Sequence, residues 1–155
     1  GSIRCYIKNN LNIKKSNKLN IELKRERIAL QEKKISNFSR LINHYSIDFT
    51  NKLNLMVKDN KLVIGYGCPA RVSTITNLSL VGEKQIKFII DDSPLKAGKF
   101  SPGMNIPIKK INFLSKKQHY TVIVFAYDYF KDIKLKLKNY NCEFYFPIPL
   151  RKITN

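Results

Sequence analysis

At 155 residues the chain has the length of one domain, and a hydrophobic content of 43% belongs to a folded protein rather than a disordered one. A formal net charge of +18 raises a polyanion as partner, but Lys, Asn and Ile are over-used together and the basic residues are spread along the whole chain, so the charge reads first as a lysine-rich solvated surface, with nucleic acid the less favoured partner. No apolar run reaches the ~20 residues of a membrane span, and three scattered cysteines (Cys5, Cys68, Cys142) argue against a disulfide framework or a self-contained zinc site and for reduced thiols in the cytoplasm.

The opening Gly1-Ser2-Ile3-Arg4-Cys5 has no apolar stretch behind a basic end, so no secretory leader is expected. It also lacks an initiator Met, and the chain reads as a fragment. Residues 1–18 are predicted as a short strand, Ile3 to Ile7, followed by a polar basic linker. Residues 19–60 are predicted as a helical segment. Ile35, Phe38, Leu41, Ile42, Tyr45, Phe49, Leu53 and Met56 recur at steps of three and four, which builds one core-facing stripe. His44, beside that stripe, reads as a partly buried structural residue.

From residue 61 to 155 the rhythm changes. Leu62 to Ile64, Ile86 to Ile90, Ile106 to Ile108, Tyr120 to Ala126 and Glu143 to Phe146 are short apolar runs, as in strands buried on both faces of a parallel sheet. Helices fit between them at Ala70 to Leu80, near Lys110 to Leu114, and at Tyr129 to Tyr140. The predicted fold class is α/β: a Rossmann-like three-layer domain with a mainly parallel sheet of about five strands, preceded by a long helical segment.

Leu62 to Ala70 reads as strand, G-x-G-x-x-A turn, then helix. Gly65 would let the chain turn sharply. Gly67, without a Cβ, would let a phosphate approach the backbone, and Ala70 would let helix and strand pack closely. The helix start offers free N–H groups and its positive dipole end to an anion, and Pro69 costs little there. Asp91 follows about twenty residues on, where a ribose-binding carboxylate sits in a dinucleotide fold. The plainer alternative is that the glycines serve only the turn. Ligands of such sheets bind outside the carboxyl ends of the strands, which selects residues 65–71, Asp91 and Asp92, 127–129 and 147–149. His119 precedes its strand and is rejected as catalytic. Cys68 is the thiol of the crevice, and a helix start lowers a thiol's pKa, but no base stands beside it. No catalytic set is predicted.

These segments carry a resemblance. GYGCPARVSTITN (residues 65–77) resembles the GYGAPAKxxTLLN segment of the nucleotide-sugar C-methyltransferases, which methylate a carbon of deoxysugars. DDSPLKAGKFSPGMNIPI (91–108) resembles their DDNPxKQGxYxPGTHIPI, VIVFAYDYFKDI (122–133) their LILAWNFADEI, and FYFPIPL (144–150) their FIIPIP ending. The start, GSIRCY, is similar to the GGSLRVY strand that closes the preceding methyltransferase domain. The resemblance implies a three-part enzyme: a zinc-binding part, a domain binding S-adenosylmethionine, and this C-terminal domain. The nucleotide-diphosphate sugar would lie between the last two. It implies no cofactor on this chain and no methyl transfer by this chain alone.

On that footing, backbone N–H groups from Gly67 to Ala70 and the Arg71 side chain would face phosphate. Ser73 and Thr74 would add hydroxyls, and Lys96 and Lys99 would close over the diphosphate. Tyr66 and Tyr127 would stack on a base or sugar. Gly65, Cys68, Pro69, Asp91, Asp92 and Asp128 complete the expected substrate-binding set. The sequence departs from the family pattern at Cys68, Arg71, Tyr127-Asp128 and Met104-Asn105, which points to a different sugar. Two other readings stay open: the NAD-binding half of a small oxidoreductase, and a basic non-enzymatic module for nucleic acid or protein.

Overall fold

The apolar runs become strands because their β-branched and aromatic side chains fill two opposed faces at once. The computed structural model describes residues 16–154, so the strand expected at Ile3 to Ile7 lies outside the described residues. The chain divides into two units, Gly1–Arg40 and Leu41–Asn155. Helix α1 (Asn17–Ala29) belongs to the first. Ser16 caps it by accepting the Leu19 N–H at 3.1 Å, and it buries no residue. Helix α2 spans Glu32–Lys58.

In the second unit β1 (Val63–Tyr66), β2 (Ile89–Ile90), β3 (Ile108–Lys109), β4 (His119–Val124), β5 (Asn141–Pro147) and β6 (Leu150–Lys152) form one sheet in the order β3-β2-β1-β4-β5-β6. All neighbours are parallel except β5 and β6. The register sets Val63 beside Thr121 and Gly65 beside both Ile89 and Ile123. The order reverses at β1, so the crevice between the carboxyl ends of β1 and β4 is the switch point of the sheet.

The period-two alternation of the strands divides the core. Val63, Ile89, Ile123 and Phe125 pack with Phe49 and Leu53 of α2 and Val72 of α3 (Ala70–Leu78). Ile64, Tyr66, Val122 and Val124 pack on the other face with Ile133 and Leu137, carried by α4 (Phe130–Lys136) and its cap. The result is the expected α/β character, with helices on both faces of a mostly parallel sheet.

Several details differ from the sequence reading. The sheet gains β6, a three-residue antiparallel return after the cis Ile148–Pro149 bond. The expected helix near Lys110 to Leu114 is one turn of 3-10 helix, Ile111–Phe113. The stripe on α2 faces the core only in part: Phe49 and Leu53 are fully buried, whereas Ile35 and Phe38 are 50% and 64% exposed. His44 is exposed, its ring tilted against Tyr45. Periodicity marks a helix face but not what lies against it.

The end of α3 has an unusual residue. The Val81 N–H returns to the Thr76 carbonyl at 2.9 Å and the Leu80 N–H to the Asn77 carbonyl at 3.3 Å, a Schellman closure. Leu80 takes the left-handed position there, φ 52°, with its side chain 75% exposed. Nearby, Ser46 Oγ donates to the Leu78 carbonyl and Thr50 Oγ1 to the Ser79 carbonyl, tying α2 to this corner.

Candidate functional site

The glycine turn joins β1 to α3 as the spacing predicts, but its glycines are consumed by the fold. A Cβ on Gly65 would come within 2.9 Å of Ile89 and 3.0 Å of the Phe125 ring. One on Gly67, where φ is +80°, would lie 2.4 Å from the Ala126 Cβ. The room that Gly67 leaves is taken by Ala126 of the neighbouring β4 connection, not held open to a phosphate.

The backbone donors are also engaged. The Gly67 N–H donates to the Ile90 carbonyl at 2.7 Å, and the Cys68 N–H to Asp91 Oδ2 at 2.7 Å. Pro69 has no N–H. Of the N–H groups expected from Gly67 to Ala70 to face a ligand, those of Gly67 and Cys68 are thus spent within the chain. Only Ala70 and Arg71 bring the first-turn donors that a helix leaves without partners of its own.

Asp91 is buried and serves as the pin of this turn. Besides Cys68 it accepts the Ser93 N–H at 2.9 Å and Lys96 Nζ at 3.3 Å. Both its oxygens are engaged by the chain, unlike the open carboxylate expected for a ribose. Cys68 is buried too. Burial pushes its thiol pKa up and Asp91 adds to this, outweighing Lys96, the opposite of the lowering considered from the helix start.

The remaining expected residues fall into three depressions at the carboxyl edge. The largest, about 440 Å³, is lined by Arg71, Ile75, Tyr127, Phe146, Ile148 and Arg151, with Pro147 completing its wall. The Arg71 guanidinium lies 4.2 Å above the Tyr127 ring centre, and its Nη2 donates to Asp128 Oδ2 at 2.7 Å. Tyr127 meets Phe146 edge to face at 6.4 Å, and the Arg151 guanidinium sits 5.3 Å over Phe146. Two guanidinium-on-ring pairs therefore meet in one cleft.

The second depression, about 200 Å³, is the switch-point crevice, with Tyr66, Gly67, Asp91, Asp92, Tyr129 and Lys136 among its lining. Tyr66 donates its hydroxyl to Asp92 Oδ1 at 3.1 Å, and Lys136 Nζ holds Asp92 Oδ2 at 2.6 Å. Burial, reinforced by Asp92, raises the Tyr66 pKa well above the ordinary phenol value, so this hydroxyl stays a proton donor. The third, about 220 Å³, gathers Cys68, Pro69, Ala70, Ser73, Lys96 and Lys99. Lys96 Nζ also donates to the Cys68 carbonyl at 3.0 Å. The lysines expected to close over the diphosphate thus share a depression with Ser73 but not with Arg71. Thr74 is exposed on α3 and lines none of the three.

Sequence reasoning missed Phe146 and Arg151. The signal for Phe146 lay in the apolar run before Pro147; Arg151 gave none, because only the antiparallel pairing of β6 sets it opposite Phe146. His119 lies at the other end of the sheet, with Nδ1 2.9 Å from Asn141 Oδ1. Among the described residues no three His, Cys, Asp or Glu side chains gather as a metal site, and no helix is long and apolar enough to cross a membrane.

Comparison with known proteins places the chain in a family. A family model described as the C-methyltransferase C-terminal domain matches residues 1–149. The C-methyltransferase NovU of Streptomyces niveus is 42% identical over 53 residues. That stretch is 34% of this chain and 13% of NovU, so the match spans only a small part of the relative. The chain belongs to the C-methyltransferase C-terminal domain family.

Proposed function

We propose that this chain supplies the nucleotide-sugar side of a sugar C-methyltransferase, with methyl transfer carried out by residues of a preceding domain. The observation that carries the reading is the 440 Å³ cleft, in which Arg71 and Arg151 bring positive charge to the faces of Tyr127 and Phe146. Guanidinium donors suit phosphate oxygens and ring faces suit a planar base, so the cleft has both halves of nucleotide recognition. The switch-point crevice adjoins it across the Tyr127–Tyr129 turn. There Tyr129 offers a hydroxyl to a sugar, and Asp92, half exposed, can accept a further hydrogen bond beside those from Tyr66 and Lys136. Lys96 and Lys99, from the loop after β2, form a further polar rim with Ser73 of α3.

S-adenosylmethionine would supply the methyl group, and we assign it and zinc to the preceding part of the protein. The donor groups described here do not fit a zinc ion, and no step on this chain runs through one. What the chain contributes is binding and orientation: it fixes the nucleotide so that the sugar carbon faces the other domain. A cytoplasmic location accords with nucleotide-sugar chemistry and is part of the proposal.

Isothermal titration with dTDP- and UDP-sugars tests the reading. Binding that weakens about threefold in Arg71→Ala is expected, since that guanidinium is already shared with Asp128. Absence of binding by both this chain and the longer protein refutes it.

A further inference from the structure

Three cations at the carboxyl edge of the sheet, one of them the other guanidinium of the 440 Å³ cleft, already hold a carboxylate of the chain. Arg71 holds Asp128 at 2.7 Å, Lys136 holds Asp92 at 2.6 Å, and Lys96 holds Asp91 at 3.3 Å. An anion that approaches any of these must displace or share that partner. Arg151 differs. Among the described residues no carboxylate lies within ion-pair distance of it, and its contact is the face of Phe146. A guanidinium on a ring face keeps its edge N–H donors turned outward, and Arg has five donors to offer.

Its position is fixed by the backbone. Phe146 and Arg151 are direct partners in the β5–β6 ladder, so the pairing itself sets the guanidinium over the ring. Leu150, the preceding residue, is buried in the core and anchors the short strand. The family match ends at residue 149, before Arg151. Arg151 is thus a feature of this chain on which family membership says nothing.

We infer that Arg151 is the residue that captures the anionic group of the ligand in the 440 Å³ cleft, with Phe146 as the adjoining ring face, and that it sets the charge the cleft accepts. The inference rests on the reading of the cleft as a nucleotide site. The ligand class is a phosphate ester joined to a planar ring, and Arg71, shared with Asp128, plays the lesser part in holding charge.

Calorimetric titration of the full 155-residue chain with UDP, dTDP and inorganic pyrophosphate tests this, with Arg151→Gln, Arg151→Lys and Arg71→Gln compared. Arg151→Gln is expected to weaken UDP and dTDP by on the order of tenfold or more, and Arg71→Gln by less. Arg151→Lys is expected to recover part of the loss, because it keeps the charge without the fork of donors. Pyrophosphate is expected to depend on Arg151 in the same way. Should Arg151→Gln melt at a lower temperature, the Arg151→Lys comparison carries the test. Binding by the Arg151 variants within twofold of the parent, together with its loss in Arg71→Gln, would overturn the assignment while leaving the nucleotide reading in place. A parent chain that binds none of the three probes would overturn it as well, and titration of the longer protein would then decide the broader reading.

Discussion

Replacing Glu143 by glutamine keeps the size of the side chain and removes one charge from the amino-terminal end of the sheet, away from the cleft. Glu143 is 12% exposed, and its Oε1 accepts Lys61 Nζ at 2.9 Å and Thr121 Oγ1 at 2.8 Å. Its Oε2 accepts Lys152 Nζ at 2.8 Å and the Tyr145 hydroxyl at 3.3 Å. Burial alone would raise the pKa of this acid, but hydrogen bonds from Lys152, Lys61 and Thr121 more than offset that and hold it at about 2, against an ordinary 4.5. At about 1.36 kcal/mol per tenfold change in proton affinity, that difference is worth ~3 kcal/mol. Lys61 and Lys152 are 36% and 55% exposed, so solvent screening brings the expected contribution to about 2 kcal/mol.

The sign follows from the lowered value. The stabilisation is fully present above pH 4.5 and is lost as pH falls from there through about 2, because protonation of the folded state then no longer lags behind that of the unfolded chain. Glu143→Gln should therefore cost about 2 kcal/mol at pH 7, and the gap to the parent should close as pH falls toward 2. Urea unfolding of both proteins at pH 7, 4 and 2.5 measures it, with the slope of the transition checking that the unfolded states match. A gap below about 0.5 kcal/mol at pH 7, or one that ignores pH, would show that the four donors do not act on this carboxylate as described.

Gly67→Ala should destabilise the chain by about 2–4 kcal/mol, combining a left-handed backbone with a Cβ driven against Ala126; a thermal midpoint equal to the parent's would mean that the turn relaxes freely. Leu80→Gly should raise stability by about 0.5–1 kcal/mol, since glycine takes the left-handed cap without a steric penalty and little packing is lost from an exposed side chain. A fall in the melting temperature would assign Leu80 a packing role that its exposure denies. Asp91→Ala should cost about 2 kcal/mol and speed hydrogen exchange of the Cys68 and Ser93 amides, both of which lose their acceptor; unchanged protection of those amides would move the pin elsewhere.

Much of the architecture was legible because continuous apolar runs broken by glycine and aspartate have few interpretations other than a parallel sheet. Leu62 to Ile64 and Tyr120 to Ala126 mark β1 and β4 with ends displaced by one or two residues, and the reversal between them fixes the carboxyl edge where the clefts lie. Strand β6 was not legible. Leu150-Arg151-Lys152 is too short to show alternation, and it exists because β5 folds back on itself. The role of the glycines was also hidden: a G-x-G spacing announces close approach, but whether a phosphate or Ala126 makes that approach depends on the neighbouring strand. Asp91 stood at the right distance for a ribose ligand, yet burial made it a backbone acceptor. In the 440 Å³ cleft, Arg71 and Tyr127 were named from their positions after β1 and β4, whereas Phe146 looked like core and Arg151 like surface.

Strand β6 gives three successive residues three separate tasks. Leu150 plugs the core, Arg151 faces the cleft, and Lys152 reaches Glu143. An expression boundary drawn after Pro149, where the family match stops, would therefore remove all three at once. Such a truncated protein would keep every parallel strand and still show an α/β circular dichroism spectrum, while having lost a core side chain, a guanidinium and one cation of the acid-sensitive cluster. Any C-terminal tag or fusion needs to begin beyond Lys152, and a failed binding assay on a shorter version would report on the boundary rather than on the site.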